Sequence, residues 1–189
     1  DEAARDYTRF AQYANPALEK KGAASPFRAD YNTGYCYFKQ KSYEDAAMYF
    51  GSAINDSKET TDSKGKTALL PDLYLRYADC SFVTKNYNKA IEAYTKIAEM
   101  KWSSAEYALY QKGIILGLQN KDNEKIAVLK ELSTKFPKSN YSAKANFETG
   151  ETYLQLNKLE DARAAYQKVI LENPNSPLLP KCYVKLAVI

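Results

Sequence analysis

Apolar and small residues return along this chain in steps of three and four, which puts them on single faces of helices, and the helical stretches come in pairs. The pairs themselves recur. Gly34, Ala78, Gly113, Gly150 and Ala187 hold one register, separated by 44, 35, 37 and 37 residues. The side chains around them follow the same order: Gly34, Tyr37, Ala46, Phe50 and Ala53 in one copy, Gly150, Tyr153, Ala162, Tyr166 and Pro174 in another. After Ala78, residues Tyr87, Ala90, Tyr94 and Ile97 stand where the first copy has Tyr43, Ala46, Phe50 and Ala53. Such a period predicts stacked helix hairpins, each burying its apolar face against the next. No stretch alternates with period two for long enough to suggest a sheet. The expected fold is all-α, an α-solenoid of antiparallel helix pairs.

Packing explains the recurring residue types. Ala46, Ala90 and Ala162 fall where two helices approach closely, and a neighbouring aromatic fills the remaining space; each buried large side chain contributes about 1.5–3 kcal/mol. The third copy is the most degenerate, with Leu116, Leu129, Leu132 and Pro137 retained and Lys125 in place of the alanine. The long first spacing falls on NDSKETTDSKGK, Asn55 to Lys66, which is polar and without apolar periodicity and therefore reads as an inserted surface loop. The expected organisation is one repeat solenoid over 1–189. It has the second helix of a truncated repeat at 1–20, repeats at 24–57, 70–101, 103–137 and 139–175, an inserted loop at 58–69, and the first helix of a truncated repeat at 176–189. Pro26, Pro71, Pro137, Pro174, Pro177 and Pro180 fall at expected turns, and Ser103 with Glu106 has capping-box spacing.

The order of glycine, tyrosine, alanine, aromatic and proline resembles the tetratricopeptide repeat. The usual tryptophan near the start of the first helix is replaced by Asp30, Tyr74 and Asn146. The resemblance implies a right-handed superhelix whose first helices line a concave groove. The stretch from Tyr107 to Pro177, with its KFPKS and ENPNSP joints, is also similar to large envelope-associated tetratricopeptide proteins of Gram-negative bacteria, akin to the TolA-binding protein. That similarity implies a periplasmic or outer-membrane-associated scaffold; the residues alone leave the compartment open. Both ends fall mid-repeat, and no initiator methionine or signal peptide is present, so a fragment of a longer repeat protein is expected, with self-association through the cut ends left open.

Composition narrows the chemistry. The chain has 189 residues, 45% hydrophobic and 26% charged, and no histidine, so it offers no histidine-based catalytic pair and lacks the commonest metal ligand. Glu44 with Asp45, and Glu160 with Asp161, sit at the starts of second helices, where carboxylates complement the helix dipole. No phosphate-cradling glycine loop occurs, since Gly113 and Gly117 fall on a helix. Cys36 and Cys80 share a register position and, with Cys182, read as small core thiols rather than a disulfide or metal framework. The net charge of +4 comes from interleaved 27 basic and 23 acidic residues, unlike the one-sided surface of a nucleic-acid binder. No catalytic, cofactor or metal site, no nucleic-acid partner and no membrane insertion are expected.

The remaining surface is the groove that the resemblance implies. It assigns the places three before and one after each small residue to that groove: Tyr31 and Tyr35, Leu75 and Asp79, Tyr110 and Ile114, Phe147 and Glu151, with Phe38 and Phe82 three places further on. The lysine and asparagine with which some relatives clamp a terminal carboxylate are absent from these places. Tyr31, Tyr35, Phe38, Leu75, Phe82, Tyr110 and Phe147 are therefore the expected anchors for a protein or peptide segment with apolar side chains; packing within the chain is the competing use of the same rings. A non-catalytic interaction scaffold is the leading expectation, beside a self-assembly module or an accessory segment of a larger enzyme.

Overall fold

The computed structural model describes residues 25–60 and 63–189, and among these every regular element is a helix. In chain order they are α1 (Pro26–Lys39), α2 (Tyr43–Asp56), α3 (Ser63–Val83), α4 (Tyr87–Glu99), α5 (Ala105–Leu118), α6 (Asp122–Lys135), α7 (Asn140–Gln155), α8 (Leu159–Glu172) and α9 (Leu179–Ala187). The chain divides after Ser104 into two compact units, the first containing α1–α4 and the second α5–α9. Within each unit, successive helices pack as hairpins, as the periodicity predicts.

One turn joins the helices of every pair. Lys41, Lys85, Asn120 and Asn157, each seven residues after the small position, take positive φ angles of 63°, 61°, 58° and 56°. This left-handed residue lets the next amide reach back to the last turn of the first helix: Ser42 N to Tyr37 O, Asn86 N to Ser81 O, Lys121 N to Leu116 O and Lys158 N to Tyr153 O. Helix starts are capped where serine precedes them. Ser25 Oγ accepts from Arg28 N ahead of Pro26, and Ser139 Oγ accepts from Tyr141 N. Ser139 also donates to Glu106, the residue expected to pair with Ser103 at the start of α5.

The small residues owe their register to a ring or leucine sixteen places later. A Cβ added to Gly34 would lie 2.8 Å from Phe50 Cδ1, one on Gly113 2.6 Å from Leu129 Cδ2, and one on Gly150 2.7 Å from Tyr166 Cε1. Phe50, Leu129 and Tyr166 are fully buried, as is Tyr94, which holds the same place relative to Ala78. Around them the first unit gathers Phe27, Ala46, Ala53, Leu73 and Cys80, and the second gathers Ile126, Ala143, Tyr153, Ala162, Val169 and Cys182. Lys125 solves the missing alanine in its own way. Its stem lies along Gly117, where an added Cβ would come within 3.0 Å of Lys125 Cδ, and its ammonium reaches Glu148 at 3.0 Å.

The structure corrects three expectations. The segment 58–69 is not a loop throughout: α3 begins at Ser63, and Pro71 lies inside the helix rather than at a turn. The extra turns persist because Leu69 and Leu70 pack, half-buried, on the core of the first unit, offsetting the hydrogen bond that a proline removes. The cysteines also differ. Cys80 and Cys182 are buried, each against the preceding helix pair, whereas Cys36 is half-buried and has no such pair before it among the described residues. Burial pushes the Cys80 thiol up to about 12. The expected helix at 1–20 lies outside the described residues.

Candidate functional site

On α3, Asp72, Leu75, Arg76, Asp79 and Phe82 follow the three-and-four spacing of one helix face. The Asp72 end of this face meets α1. Tyr31 Oη donates to Asp72 Oδ2 at 2.7 Å, Arg76 Nε donates to Asp72 Oδ1 at 3.2 Å, and the Arg76 guanidinium lies 5.1 Å from the centre of the Phe38 ring. The rings of Tyr31, Tyr35 and Phe38 form a row with centroids 6.2 and 6.1 Å apart, and Lys39 Nζ sits 5.2 Å over Tyr35. Burial, and then the hydrogen bond to the Asp72 carboxylate, raise the Tyr31 phenol far above its ordinary value, so this ring keeps its proton.

Five of the seven expected anchors, Tyr31, Tyr35, Phe38, Leu75 and Phe82, belong to the first unit. Tyr31, Tyr35 and Phe38 are brought together, while Phe82 packs toward Tyr87 at 6.2 Å. Tyr110 and Phe147 belong to the second unit, in separate contacts: Tyr110 lies 5.4 Å from Tyr141, and Phe147 lies 5.5 Å from Tyr166. All seven side chains are half-buried. Tyr31 and Phe147 use one side of their rings on the core, since Tyr31 also lies 6.1 Å from Phe50.

The two carboxylates that share this register are already engaged. Tyr94 Oη donates to Asp79 Oδ1 at 2.7 Å, and Tyr166 donates to Glu151. The same pairing is built twice, a phenol sixteen places after the small residue meeting an acid one place after it. The other two copies are apolar at both places or lack the phenol, with Phe50 after Tyr35 and Leu129 after Ile114. Glu151 also accepts from Lys185 Nζ at 2.8 Å. Burial and the Glu151 hydrogen bond hold the Tyr166 phenol well above its ordinary value.

Asp72, Arg76 and Tyr141 were not expected at the site. The i, i+4 spacing of Asp72 and Arg76 was a usable signal, obscured by placing Pro71 at a turn. Tyr141, at the start of α7, touches Tyr107 and Tyr110 of α5 and carries Lys144 over its ring.

Comparison with known proteins bears on these helix pairs. Residues 1–59, 107–139 and 143–176 each match a sequence profile of the tetratricopeptide repeat. No curated protein matches the chain in sequence. Among solved structures, MamA (41-end) from Desulfovibrio magneticus RS-1 is 18% identical with a TM-score of 0.61, covering 86% of this chain and 82% of that one. YrrB, described as a TPR protein with an unusual peptide-binding site, is 18% identical with a TM-score of 0.61, covering 97% and 86%. BtubC from P. vanneervenii is 14% identical with a TM-score of 0.63, covering 99% and 78%. Identities this low establish the fold alone, and together with the profile matches they identify the helix pairs of this chain as tetratricopeptide repeats.

Proposed function

We propose that the chain is a non-catalytic protein-interaction scaffold that holds a protein or peptide segment on the half-buried rings of its first helices. The observation that carries this reading is the row Tyr31, Tyr35 and Phe38, fixed from α3 by Asp72 and Arg76. A ring supported on one side and open on the other offers contact area at little cost in side-chain freedom, and the apolar Leu75 and Phe82 continue the α3 face beside it. Tyr110 and Phe147 provide a second set of anchors in the second unit. The unusual peptide-binding site described for YrrB favours the same class of ligand. The KFPKS and ENPNSP joints extend the proposal to a cell-envelope scaffold.

Capture from a Gram-negative envelope extract tests it, using the wild-type chain beside a Tyr35→Ala/Phe38→Ala variant, with circular dichroism on both. Partners retained by the first and lost by the second, at equal helix content, support the scaffold. Loss of helix content with unchanged capture makes these rings core and overturns their assignment.

Self-assembly is a second reading, favoured by α9, where Tyr183, Val184 and Val188 are exposed. Light scattering across a concentration series, repeated with Val184→Glu, distinguishes it: association that the variant abolishes supports assembly, and a monomer throughout excludes it.

A further inference from the structure

Opposite the face of α3 that carries Leu75 and Phe82, Tyr74 and Tyr77 form the floor of a cleft of about 940 Å³ whose walls are α2 and α4. A cleft of this size suits a side chain or a small ligand. Its α2 wall is formed by Met48, Gly51, Ser52 and Asn55, and its α4 wall carries Lys89, Glu92, Ala93 and Lys96. Gly51 is the reason the floor is reachable: the Tyr77 ring lies so close that an added Cβ would stand 3.3 Å from Tyr77 Cε2. Burial, and after it the Glu92 carboxylate, raise both phenols above their ordinary value, which places the negative charge of Glu92 near both rings.

The second unit shows what fills the corresponding place. Seventeen residues after its small residue, where the first repeat has Gly51, the third repeat has Lys130. Lys130 Nζ lies 5.1 Å over the Tyr153 ring and donates to Tyr153 Oη at 2.7 Å. There the chain supplies its own cation to a tyrosine on the next first helix. In the first unit it supplies a glycine, two tyrosines and a carboxylate.

We propose that the cleft between α2 and α4 is a binding site for a basic side chain, arginine or lysine, presented by a polypeptide partner, with Tyr77 and Tyr74 as the aromatic floor and Glu92 as the counter-charge. This site goes beyond the scaffold reading, because it uses the opposite side of α3 and none of the seven anchors. Cation–π attraction strengthens when the site excludes water, and the glycine opening allows that depth. Lys58, Lys89 and Lys96 are exposed on the rim, where long stems keep their charges in water. Lys58 is turned toward Asn55, to which it donates at 3.3 Å.

Trp102, the single tryptophan, lies 5.5 Å from Tyr74 and reports on the cleft. The test titrates the full chain with an alanine-rich helical peptide carrying one central arginine, and with the same peptide carrying citrulline, while Trp102 emission is recorded. A saturable change with the arginine peptide, at least tenfold weaker with citrulline and at least tenfold weaker for Glu92→Gln, is the expected result. Gly51→Lys, which places a lysine as in the third repeat, abolishes the response; should that variant lose helix content, Glu92→Gln decides alone. Equal binding of the two peptides, no saturable change with either, or full binding by Glu92→Gln overturns the proposal.

Discussion

In the first unit α1 meets α3 through rings and a phenol, with Tyr31 donating to Asp72 and Arg76 lying over Phe38. In the second unit lysines span successive pairs: Lys125 to Glu148 at 3.0 Å, Lys168 to Ser133 at 3.4 Å and Lys185 to Glu151 at 2.8 Å. The backbone plan is the same in both, down to the left-handed residue in each turn. What differs is the material that joins one pair to the next. Ring contacts leave apolar edges that a partner can use, whereas lysine bridges consume charge and cover the rings beneath them, as Lys130 covers Tyr153. The first unit is therefore the better equipped of the two for recognition, and the second for stacking.

Truncating the inner ring tests the shared part of this plan and carries the largest effect. Phe50→Ala removes a fully buried ring, at a cost of about 3–5 kcal/mol, and Leu129→Ala in the second unit costs about 2–5 kcal/mol. Urea unfolding followed by circular dichroism measures both, and a loss below about 1 kcal/mol at either would show that its place is not a core place. The lysine joints come next. Glu148→Gln leaves the Lys125 ammonium, whose side chain is 11% exposed, facing a neutral partner and costs about 1–2 kcal/mol. Glu131→Gln, which breaks the exposed Lys135 pair within one helix, changes stability by no more than about 0.5 kcal/mol. Equal effects of the two substitutions would remove the distinction between bridging and decorative lysines.

Acidity separates the units in a third way. Burial raises the folded-state pKa of Asp30 above its ordinary 3.8, with hydrogen bonds to Ser52 and Asp56 lowering it in part. The folded chain then holds this proton to higher pH than the unfolded chain does. The resulting stabilisation is complete below the unfolded value and is lost as pH rises through the folded one. The melting temperature of Asp30→Asn should therefore gain on wild type as pH rises from about 3.8 upward, until Asp30 is fully ionised in the folded chain. A constant difference across that range would remove burial as the cause. The smallest effect belongs to the turns: Lys85→Gly relieves a positive φ and gains about 0.5 kcal/mol once the added freedom of glycine in the unfolded chain is subtracted. A thermal melt that falls instead would show that Lys85 contributes a contact worth more than its strain.

The repeat register was legible because sterics restrict it. Gly34, Gly113 and Gly150 have no room for a methyl group beside their partner side chains, so their residue types announce their place. The start of α3 was not legible, since residues 63–68 carry no apolar period and Pro71 resembles a terminator; Leu69 and Leu70 were the only local hint of the tertiary contact that keeps these turns helical. The groove register identified half-buried rings but could not apportion each ring between core and surface, because Tyr31 and Phe147 touch both. Asp79 and Glu151 looked available in the sequence and are occupied by phenols that the pattern had assigned only to packing. Gly51 passed without notice, since a glycine within a helix reads as a simple loss of propensity until the ring behind it is seen.

The sixteen-residue separation between each small residue and its partner has a further consequence, for how the chain folds. Its tightest contacts close short loops, so each hairpin forms before any long-range docking is required, and the entropy of bringing distant segments together is met only afterwards and in small steps. A chain organised in this way has several equivalent starting points for collapse, and damage to one hairpin leaves the others free to begin.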